Sequence, residues 1–321
     1  MITSVTNQKV KRVVQLNKKS SQRKKEGVFV VEGIKMFLEA PKELLEEVYV
    51  SEGCLQEMEK ELTQAAAKPP EQGSLDTDAA KTSEHDWIDA DAAKASEHDW
   101  MDADAAKTVT GRKGSTETLR QHAAEKLKSC GYEVVSEEVF AKMSDTQTPQ
   151  GILCVLKQLQ YNLRDMIQNG KTPFFLVLEN LQDPGNLGTM IRTGEGAGVS
   201  GVIMSRETVD IYNPKTIRAT MGSIYRVPFF YAENLHETIG QMQESGIHVY
   251  AAHLKGTKNY DAYDYGKPTA FLIGNEGNGL TDETAALADT YIRIPMEGQL
   301  ESLNAAVAAA ILMYEGARQR R

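Results

Sequence analysis

The amino-acid sequence predicts an α/β protein with two domains: a small N-terminal α/β domain and a C-terminal α/β domain with a parallel sheet. Its 321 residues, of which 41% are hydrophobic, are enough for two ordinary cores. Short apolar runs alternate with segments of helical spacing, which is the pattern of βα units. The run 173–178 (PFFLVL) is apolar throughout, as expected for a strand that a parallel sheet buries on both faces.

The N-terminal domain is predicted over residues 1–156, and the polar segment 157–171 is predicted to link it to the next domain. The predicted strands are short apolar runs at 27–33, 46–53, 132–138 and 151–156. The predicted helices have apolar residues at helical spacing and lie at 34–40, 115–129 and 139–145. This alternation predicts a compact sandwich.

An acidic repeat is inserted in this domain between about 70 and 110. DTDAAKTSEHDWI at 76–88 is followed by DADAAKASEHDWM at 89–101, so the period is 13 residues. That period fits no common solenoid, and each copy has too few bulky apolar residues to offset the entropy of ordering. We interpret the repeat as an insertion without a catalytic role; metal binding by its His-Asp pairs is the alternative.

The distribution of charge predicts a polyanionic partner. The net charge is −9, but the segment 71–107 alone holds eleven acidic residues and three lysines. The first 25 residues contain no acid and eight basic residues, Lys9, Lys11, Arg12, Lys18, Lys19, Arg23, Lys24 and Lys25. Such a cluster favours binding to RNA or DNA. A solvated, partly helical N-terminus is the alternative.

Several classes of protein are excluded by simple counts. No run of 18 apolar residues occurs and the first residues lack an apolar signal core, so we expect a cytoplasmic protein without a membrane span. Three scattered cysteines without CxxC spacing predict neither a disulfide framework nor a zinc site. The six histidines form no HxxxH or HExxH pair, and we expect no metal.

The C-terminal domain is predicted over residues 165–321. After the run 173–178, its predicted strands lie at 201–205, 225–230, 247–253, 269–274 and 291–296. Its predicted helices lie at 186–198, 214–222 and 235–244, and an alanine-rich helix follows Ser302. Ser302 is predicted to cap this last helix, with Asn304 in its first turn. The five alanines between 305 and 310 carry so little bulk that other backbone can pass close to the helix.

A polar segment follows the predicted strand 173–178. A Pro-Gly turn leads to Asn186 at the start of a helix, and Arg192 follows in the same helix. An amide and a guanidinium at this spacing suit one anionic ligand. A capping asparagine and a surface arginine are the alternative.

A second polar segment follows the predicted strand 269–274. Glycines on both sides of Glu276 indicate close approach of the backbone to a ligand. Open α/β sheets bind ligands at the carboxyl ends of their strands, which is where this loop lies. A plain tight turn is the alternative.

The GxGxxG pattern at 196–201 is interpreted as the end of a helix. A dinucleotide site requires a strand before the glycines and a helix after them. Here the predicted order is the reverse, so we assign no nucleotide to this pattern.

Three motifs together resemble a known family. N-L-G-x-x-x-R-T at 186–193, L-I-G-N-E-G-x-G-L at 272–280 and I-P-M-x-G-x-x-E-S-L-N-x-x-V-A-A-A-I at 294–311 resemble the motifs of the SpoU/TrmH-type RNA 2′-O-ribose methyltransferases of the SPOUT class. The resemblance covers residues 160–318. Residues 1–155 resemble the small substrate-binding domain, similar to ribosomal protein L30e, that many members carry.

The resemblance implies a trefoil-knotted C-terminal domain that binds S-adenosylmethionine. The cofactor would lie among loops near Leu254, at Gly274 and from Ile294 to Leu303. In the family, backbone groups at the positions of Gly274, Ile294 and Leu303 hold the adenine. Members are homodimers whose active site is shared across the knot interface.

The resemblance also implies the catalytic residues. Arg192 matches the family's catalytic arginine, while Asn186, Glu276, Ser302 and Asn304 would orient Arg192 and the ribose. A guanidinium has a pKa above about 12, so stabilising a phosphate or an alkoxide is physically easier for Arg192 than acting as a base. Both roles stay open at this point, and no metal is required.

The resulting function is S-adenosylmethionine-dependent 2′-O-methylation of RNA, with ribosomal RNA as the expected substrate. Transfer RNA is the alternative substrate, and a non-catalytic RNA-binding protein of the same fold is the alternative class. A Rossmann-type methyltransferase is disfavoured because no Gly-rich loop follows an early strand. The target nucleotide does not follow from the sequence.

Overall fold

The computed structural model describes residues 1–67, 116–300 and 302–321. The acidic repeat lies outside the described residues, and its interpretation as a non-catalytic insertion stays a prediction. Two sheets organise the described part of the chain, one with four strands and one with seven.

The first sheet consists of Val28–Glu32 (β1), Leu45–Ser51 (β2), Glu133–Val135 (β3) and Ile152–Lys157 (β4). The spatial order is β1-β4-β2-β3, with β4 antiparallel to both neighbours and β3 parallel to β2. All four strands predicted for this half are present. β3 is shorter than predicted because Ser136 caps a helix directly after it, accepting a hydrogen bond from the Val139 N–H.

Helices cover both faces of this sheet. In the described part of this half they are Gln8–Lys18 (α1), Ser20–Glu26 (α2), Ile34–Glu39 (α3), Glu52–Ala67 (α4), Thr116–Ser129 (α5) and Glu137–Met143 (α6). Val28 and Val30 pack in a cluster with residues of α1 and α6. The alternate residues Phe29 and Val31 pack in another cluster with residues of α3, α4 and α5. The result is the layered sandwich that the sequence predicted.

The basic N-terminus is part of this folded unit. Helix α1 buries Val10, Val13 and Leu16, and several of the eight cations have internal partners. Arg12 pairs with Glu26 at 2.6 Å, and Lys9 pairs with Glu133. Besides Lys9, five further lysines are exposed; we call them the five-lysine surface, namely Lys11, Lys18, Lys19, Lys24 and Lys25.

The second sheet has seven strands in the order β7-β6-β5-β10-β8-β11-β9, and all its neighbouring pairs are parallel. The strands are Phe174–Leu178 (β5), Gly201–Ser205 (β6), Phe229–Ala232 (β7), His248–Ala252 (β8), Lys258–Asn259 (β9), Thr269–Ile273 (β10) and Thr290–Arg293 (β11). The prediction of a parallel α/β sheet is confirmed.

The helices of this half in the described ranges are Leu163–Ile167 (α7), Pro184–Ala197 (α8), Pro214–Thr220 (α9), Leu235–Glu244 (α10), Asp282–Ala285 (α11) and Ala305–Gln319 (α12). Buried residues of α8 and α12 form one cluster with Phe174 and Leu176, on one face of the sheet. Ile239 and Met242 of α10 form another with Phe175, on the opposite face. No helix in the described ranges combines the length and the apolar character needed to cross a membrane.

Two predicted boundaries are wrong for local reasons. The helix predicted to start at Asn186 starts at Pro184, because the Asp183 side chain caps it and accepts from the Asn186 N–H at 2.8 Å. The segment predicted as a strand at 225–230 contains the end of a 3₁₀ turn, Ser223–Tyr225, and the strand follows later as β7.

The two halves share a buried interface. One hydrophobic cluster includes Phe29 and Phe37 of the first sheet's layer as well as Phe174 and Phe229 of the second sheet. Arg23 is 3% exposed, and its Nη2 donates to Asp210 at 2.6 Å while its Nη1 donates to the Leu16 carbonyl. The sequence grouped Arg23 with the RNA-binding cations. That prediction is wrong, because the Arg23 guanidinium is enclosed between the halves.

We expect Arg23→Ala to destabilise the protein by about 3–5 kcal/mol, since it leaves the largely buried Asp210 without its cation. Urea unfolding followed by circular dichroism measures this loss. The adjacent Lys24 is exposed, and Lys24→Ala should change the free energy of unfolding by less than about 0.5 kcal/mol. Equal unfolding midpoints for the two variants would contradict the role assigned to Arg23.

Candidate active site

A cavity of about 350 Å³ opens at the carboxyl ends of β8, β10 and β11. This volume lies in the range of small-molecule sites, about 300–1,000 Å³. Three parts of the chain line it: one contains Leu254, one contains Gly274, and the third contributes Ile294, Met296, Ser302 and Leu303. The three residues predicted to bind a cofactor all line this one cavity: Gly274 directly follows β10, Ile294 directly follows β11, and Leu303 lies just before α12.

The loop after β10 is shaped by glycine. Asn275 and Gly279 exchange two backbone hydrogen bonds of 2.9 Å, which fold the loop tightly back on itself. A Cβ on Gly274 would overlap with backbone atoms of Gly279 and Leu280. Gly279 has a φ of +69°, in the left-handed region that favours glycine. Backbone rather than side chains therefore forms this wall of the cavity.

The Glu276 carboxylate joins this loop to the start of α8. Its Oε2 accepts from the Gln182 N–H at 3.0 Å, and its Oε1 accepts from the Asp183 N–H at 2.9 Å and from Asn186 Nδ2 at 3.1 Å. Burial alone would raise the pKa of Glu276, but these three hydrogen bonds outweigh it, and the pKa is lowered. The carboxylate is thus ionised at neutral pH.

A chain of hydrogen bonds continues from Glu276 through two amides. Asn304 Nδ2 donates to Asn186 Oδ1 at 3.0 Å, and Asn304 Oδ1 accepts from the Ala306 N–H at 2.9 Å. An ionised carboxylate only accepts, so Asn186 must present its Nδ2 to Glu276 and its Oδ1 to Asn304. The orientation of both amides therefore follows from the charge of Glu276.

The cap of α12 is Asn304 and not the predicted Ser302. Asn304 accepts from the N–H groups of Ala306 and Val307, and the helix begins at Ala305. Asparagine here satisfies free helical N–H groups and reaches Asn186 with the same side chain, which a serine two residues earlier cannot do. Ser302 is exposed and lines the cavity.

Arg192 lies apart from this hydrogen-bonded chain. It follows Asn186 by six residues on α8, which places it about 120° away around the helix axis. Its side chain is exposed, and within the described part of the chain it has no hydrogen-bond or ion-pair partner. Of the five predicted catalytic residues, hydrogen bonds join Asn186, Glu276 and Asn304, while Ser302 and Arg192 form no hydrogen bond with them in the described part of the chain.

Two acids that sequence analysis missed hold this site in shape. Asp183 caps α8, and hydrogen bonds from the Asn186 N–H and from Lys215 lower its pKa. Glu179, 5% exposed at the end of β5, accepts from the N–H and the hydroxyl of Thr281, both at 2.8 Å. The Asp-Pro pair was a recognisable capping signal. Glu179 had no local signal, since its partners lie about a hundred residues later.

Among the residues that the structure describes, no group of three or more His, Cys, Asp or Glu side chains could hold a metal ion.

We expect Glu276→Gln to weaken the link between the loop and α8, because glutamine offers an N–H where one of the two backbone donors needs an acceptor. Protection of the Gln182 and Asp183 amides from hydrogen exchange should fall about tenfold. This factor corresponds to the low end of the free energy of a hydrogen bond to a charged acceptor. Because the pKa of Glu276 is lowered, wild-type protection should persist below the ordinary glutamate pKa and disappear as the pH falls through the lowered value.

The matched control is Asp282→Asn, an exposed carboxylate nearby whose ion pair with Lys255 spans 3.5 Å. It should leave exchange at Gln182 unchanged. Protection that is equal in wild type and Glu276→Gln at every pH would contradict the assigned role of the carboxylate.

Comparison with known proteins gives the following similarities. The family model described as SpoU rRNA Methylase family matches residues 173–314, and the MRM3-like substrate binding domain matches residues 7–75. The chain is 35% identical over 181 residues to the 23S rRNA (guanosine(2553)-2'-O)-methyltransferase RlmP of Bacillus subtilis, covering 56% of this chain and 70% of that protein.

A second relative is the 23S rRNA (guanosine-2'-O-)-methyltransferase RlmB of Shewanella oneidensis, 31% identical over 195 residues that cover 59% of this chain and 78% of that protein. Among solved structures, the AdoMet-bound rRNA methyltransferase from Sinorhizobium meliloti superposes with a TM-score of 0.70 at 27% identity, covering 99% of this chain and 97% of that one.

Proposed function

This chain belongs to the SpoU rRNA Methylase family, and from that membership we propose that it methylates a ribose 2′-hydroxyl of ribosomal RNA. It is an S-adenosylmethionine-dependent methyltransferase. One observation carries the proposal most strongly: the second and third motif segments line one cavity, and the first motif is joined to both of them by the hydrogen bonds of Asn186 with Glu276 and Asn304. Two relatives named as 23S rRNA 2'-O-methyltransferases support ribosomal RNA as the substrate.

The cavity residues suit S-adenosylmethionine. Ile273, Ile292 and Leu303 give the cavity apolar walls, as a flat adenine requires, and the tight loop at Gly274 offers backbone groups without side-chain bulk. We propose that backbone groups at Gly274, Ile294 and Leu303 hold the adenine. Bound S-adenosylmethionine supplies a methyl group already activated by its sulfonium charge, and no metal ion takes part in the proposed reaction.

The side chains of the chain itself prepare the ribose oxygen. A 2′-hydroxyl is a poor nucleophile and must lose its proton as it attacks. We propose that Asn186, Asn304 and Ser302 orient the ribose, with Glu276 holding the two amides in one orientation. Arg192 is proposed to stabilise the developing negative charge on the oxygen or on an adjacent phosphate, since a guanidinium remains charged at all physiological pH values.

The position of Arg192 supports a homodimeric enzyme. Arg192 lies on the exposed side of α8, away from its own chain's Asn186, so a second copy would have to complete the site. Helix α12 leaves Val307 and Tyr314 about half exposed, two turns apart on one face, as expected for an interface. We propose a dimer across this face, a trefoil knot in residues 165–321, and an L30e-like unit in residues 1–156.

The N-terminal unit is proposed to bind the RNA substrate. The match of residues 7–75 to a substrate-binding domain supports this role, and so does the five-lysine surface of α1 and α2. Lysines without internal partners can neutralise phosphates and release counterions. Because RNA is the substrate, the proposed location is the cytoplasm.

Primer extension at limiting dNTP tests the reaction, since reverse transcriptase pauses at 2′-O-methylated nucleotides. Ribosomal RNA from cells with the protein should show one pause that is absent from cells without it. Pauses only in transfer RNA would replace the substrate, and no methyl transfer to any RNA by the purified protein would contradict the proposed activity.

We expect Leu303→Trp to abolish binding of S-adenosylmethionine in calorimetry, because the larger ring fills the cavity that Leu303 lines. Leu300→Trp is the matched control: Leu300 is 71% exposed, lies three residues earlier and does not line the cavity. A Gly274 variant is less suitable, since its side chain would displace the loop itself. Wild-type affinity in Leu303→Trp would remove the cofactor from this cavity.

We expect Arg192→Ala to reduce single-turnover methyl transfer by about 10²-fold while cofactor affinity stays unchanged, as for loss of a transition-state contact. Arg192→Lys separates the roles: charge stabilisation predicts partial rescue at every pH, whereas proton abstraction predicts activity that increases toward about pH 10. Arg164→Ala, an exposed arginine on α7, is the control. A rate within twofold of wild type for Arg192→Ala would remove Arg192 from the site.

A further inference from the structure

A network of charged side chains connects the N-terminal unit to α8 next to Arg192. Arg226 follows the 3₁₀ turn after α9, and its guanidinium holds Glu195 with two of its nitrogens, Nε on Oε1 and Nη2 on Oε2 at 3.1 Å. Its third nitrogen, Nη1, donates to Glu39 Oε2 at 2.7 Å. Glu39 ends α3 of the N-terminal unit, so the network bridges both halves of the protein.

The geometry of the bridge is specific on both sides. Arg226 meets Glu195 through a planar fork, an arrangement that lysine cannot reproduce. Glu39 has a side chain only 14% exposed, and its carboxylate occupies the space where a Cβ on Gly222 would lie. Gly222 has a φ of +98°, which a residue with a side chain rarely adopts. The chain therefore makes room for this carboxylate with a glycine.

Glu195 is also the acid best placed on α8 to neutralise Arg192. The two residues are three apart on one helix, and side chains at that spacing are neighbours on its surface. Yet the structure pairs Glu195 with Arg226, and no described residue forms an ion pair with Arg192. The Glu195 carboxylate thus pairs with Arg226, which has a structural role. The charge of Arg192 is left without a neutralising partner among the described residues.

We propose that Arg226 is a positioning residue that holds Glu195 away from Arg192 and so keeps the Arg192 charge available to the RNA. This inference rests on the proposed role of Arg192. Glu39 of the N-terminal unit supplies the third contact of Arg226. Docking of this unit therefore helps to hold Arg226 against Glu195 on α8, beside Arg192. The N-terminal unit, which is proposed to bind RNA, is in this way coupled to Arg192, whose charge is proposed to act on that RNA.

The test compares single-turnover methyl transfer by the full chain for Arg226→Gln, Glu195→Gln and the double variant. In Arg226→Gln, Glu195 is released and can pair with Arg192 in place of the RNA. An exposed ion pair at the strong end of the usual range corresponds to about a fivefold loss of rate. The double variant should recover the wild-type rate, since the competing charge is gone. The loss in Arg226→Gln should also shrink at high salt, which screens an exposed pair.

Arg218→Gln is the matched control. Arg218 pairs with Asp145 at 2.9 Å across the same two halves of the protein but has no link to Glu195. It should stay within twofold of wild type. A rate in the double variant as low as in Arg226→Gln, or an equal loss in Arg218→Gln, would overturn the inference, because the loss would then come from weakened docking of the halves.

A measurement independent of catalysis separates this inference from the proposed function. Urea unfolding of Arg192→Ala, Glu195→Gln and their combination gives the coupling between the two side chains. The coupling should be absent with Arg226 present and appear with Arg226→Gln. An unchanged coupling overturns the positioning role even if Arg192 is essential for transfer, whereas full activity of Arg192→Ala overturns the role of Arg192 itself.

Discussion

The candidate site depends on one carboxylate that accepts three hydrogen bonds. Glu276 receives two backbone N–H groups from the turn before α8 and one amide from within it. This group holds together the loop after β10, the turn between β5 and α8, and the first turn of α8. Since the bonds go to a charged acceptor, they are stronger than neutral ones and set which way the following amides point.

The close packing of α8 and α12 brings Asn304, the last residue of this series of hydrogen bonds, next to Asn186. Small residues allow it: a Cβ on Gly196 of α8 would lie 2.9 Å from the Tyr314 hydroxyl of α12, and one on Gly316 of α12 would lie 2.7 Å from the ring of Phe174 in the sheet. Larger side chains at these positions would push the helices from the sheet or from each other. Asn304, which caps α12, reaches Asn186 of α8 across this packed pair of helices, so packing and polar chemistry are linked at this point.

The two halves of the chain act as one body around the site. A shared apolar cluster, the enclosed Arg23–Asp210 pair and the Arg226 bridge connect the first sheet's layer to helices of the second. Tyr225 adds a hydrogen bond from its hydroxyl to the Met36 carbonyl at 3.2 Å. The five-lysine surface is therefore held in a defined orientation relative to the cavity, as the proposed role in positioning the substrate requires.

The amino-acid sequence by itself determined the parallel sheet, the order of most strands and helices, and the loops that form the cavity. Those features depend on local patterns: an apolar run such as 173–178, glycines around Glu276, and an alanine-rich helix. The three motif segments also carried the family membership, since their residues and spacing are visible without coordinates.

Only the tertiary structure decided which partner each polar group takes. Asn304 rather than Ser302 caps α12 because its side chain has a second partner in Asn186, 118 residues away. Arg23 looked like its lysine neighbours, but it forms an ion pair with the largely buried Asp210 of the other half. Arg192 and Glu195 have the spacing of an ion pair, and Arg226 prevents it. Local spacing predicts which side chains are neighbours, whereas competition among distant partners decides which of them bond.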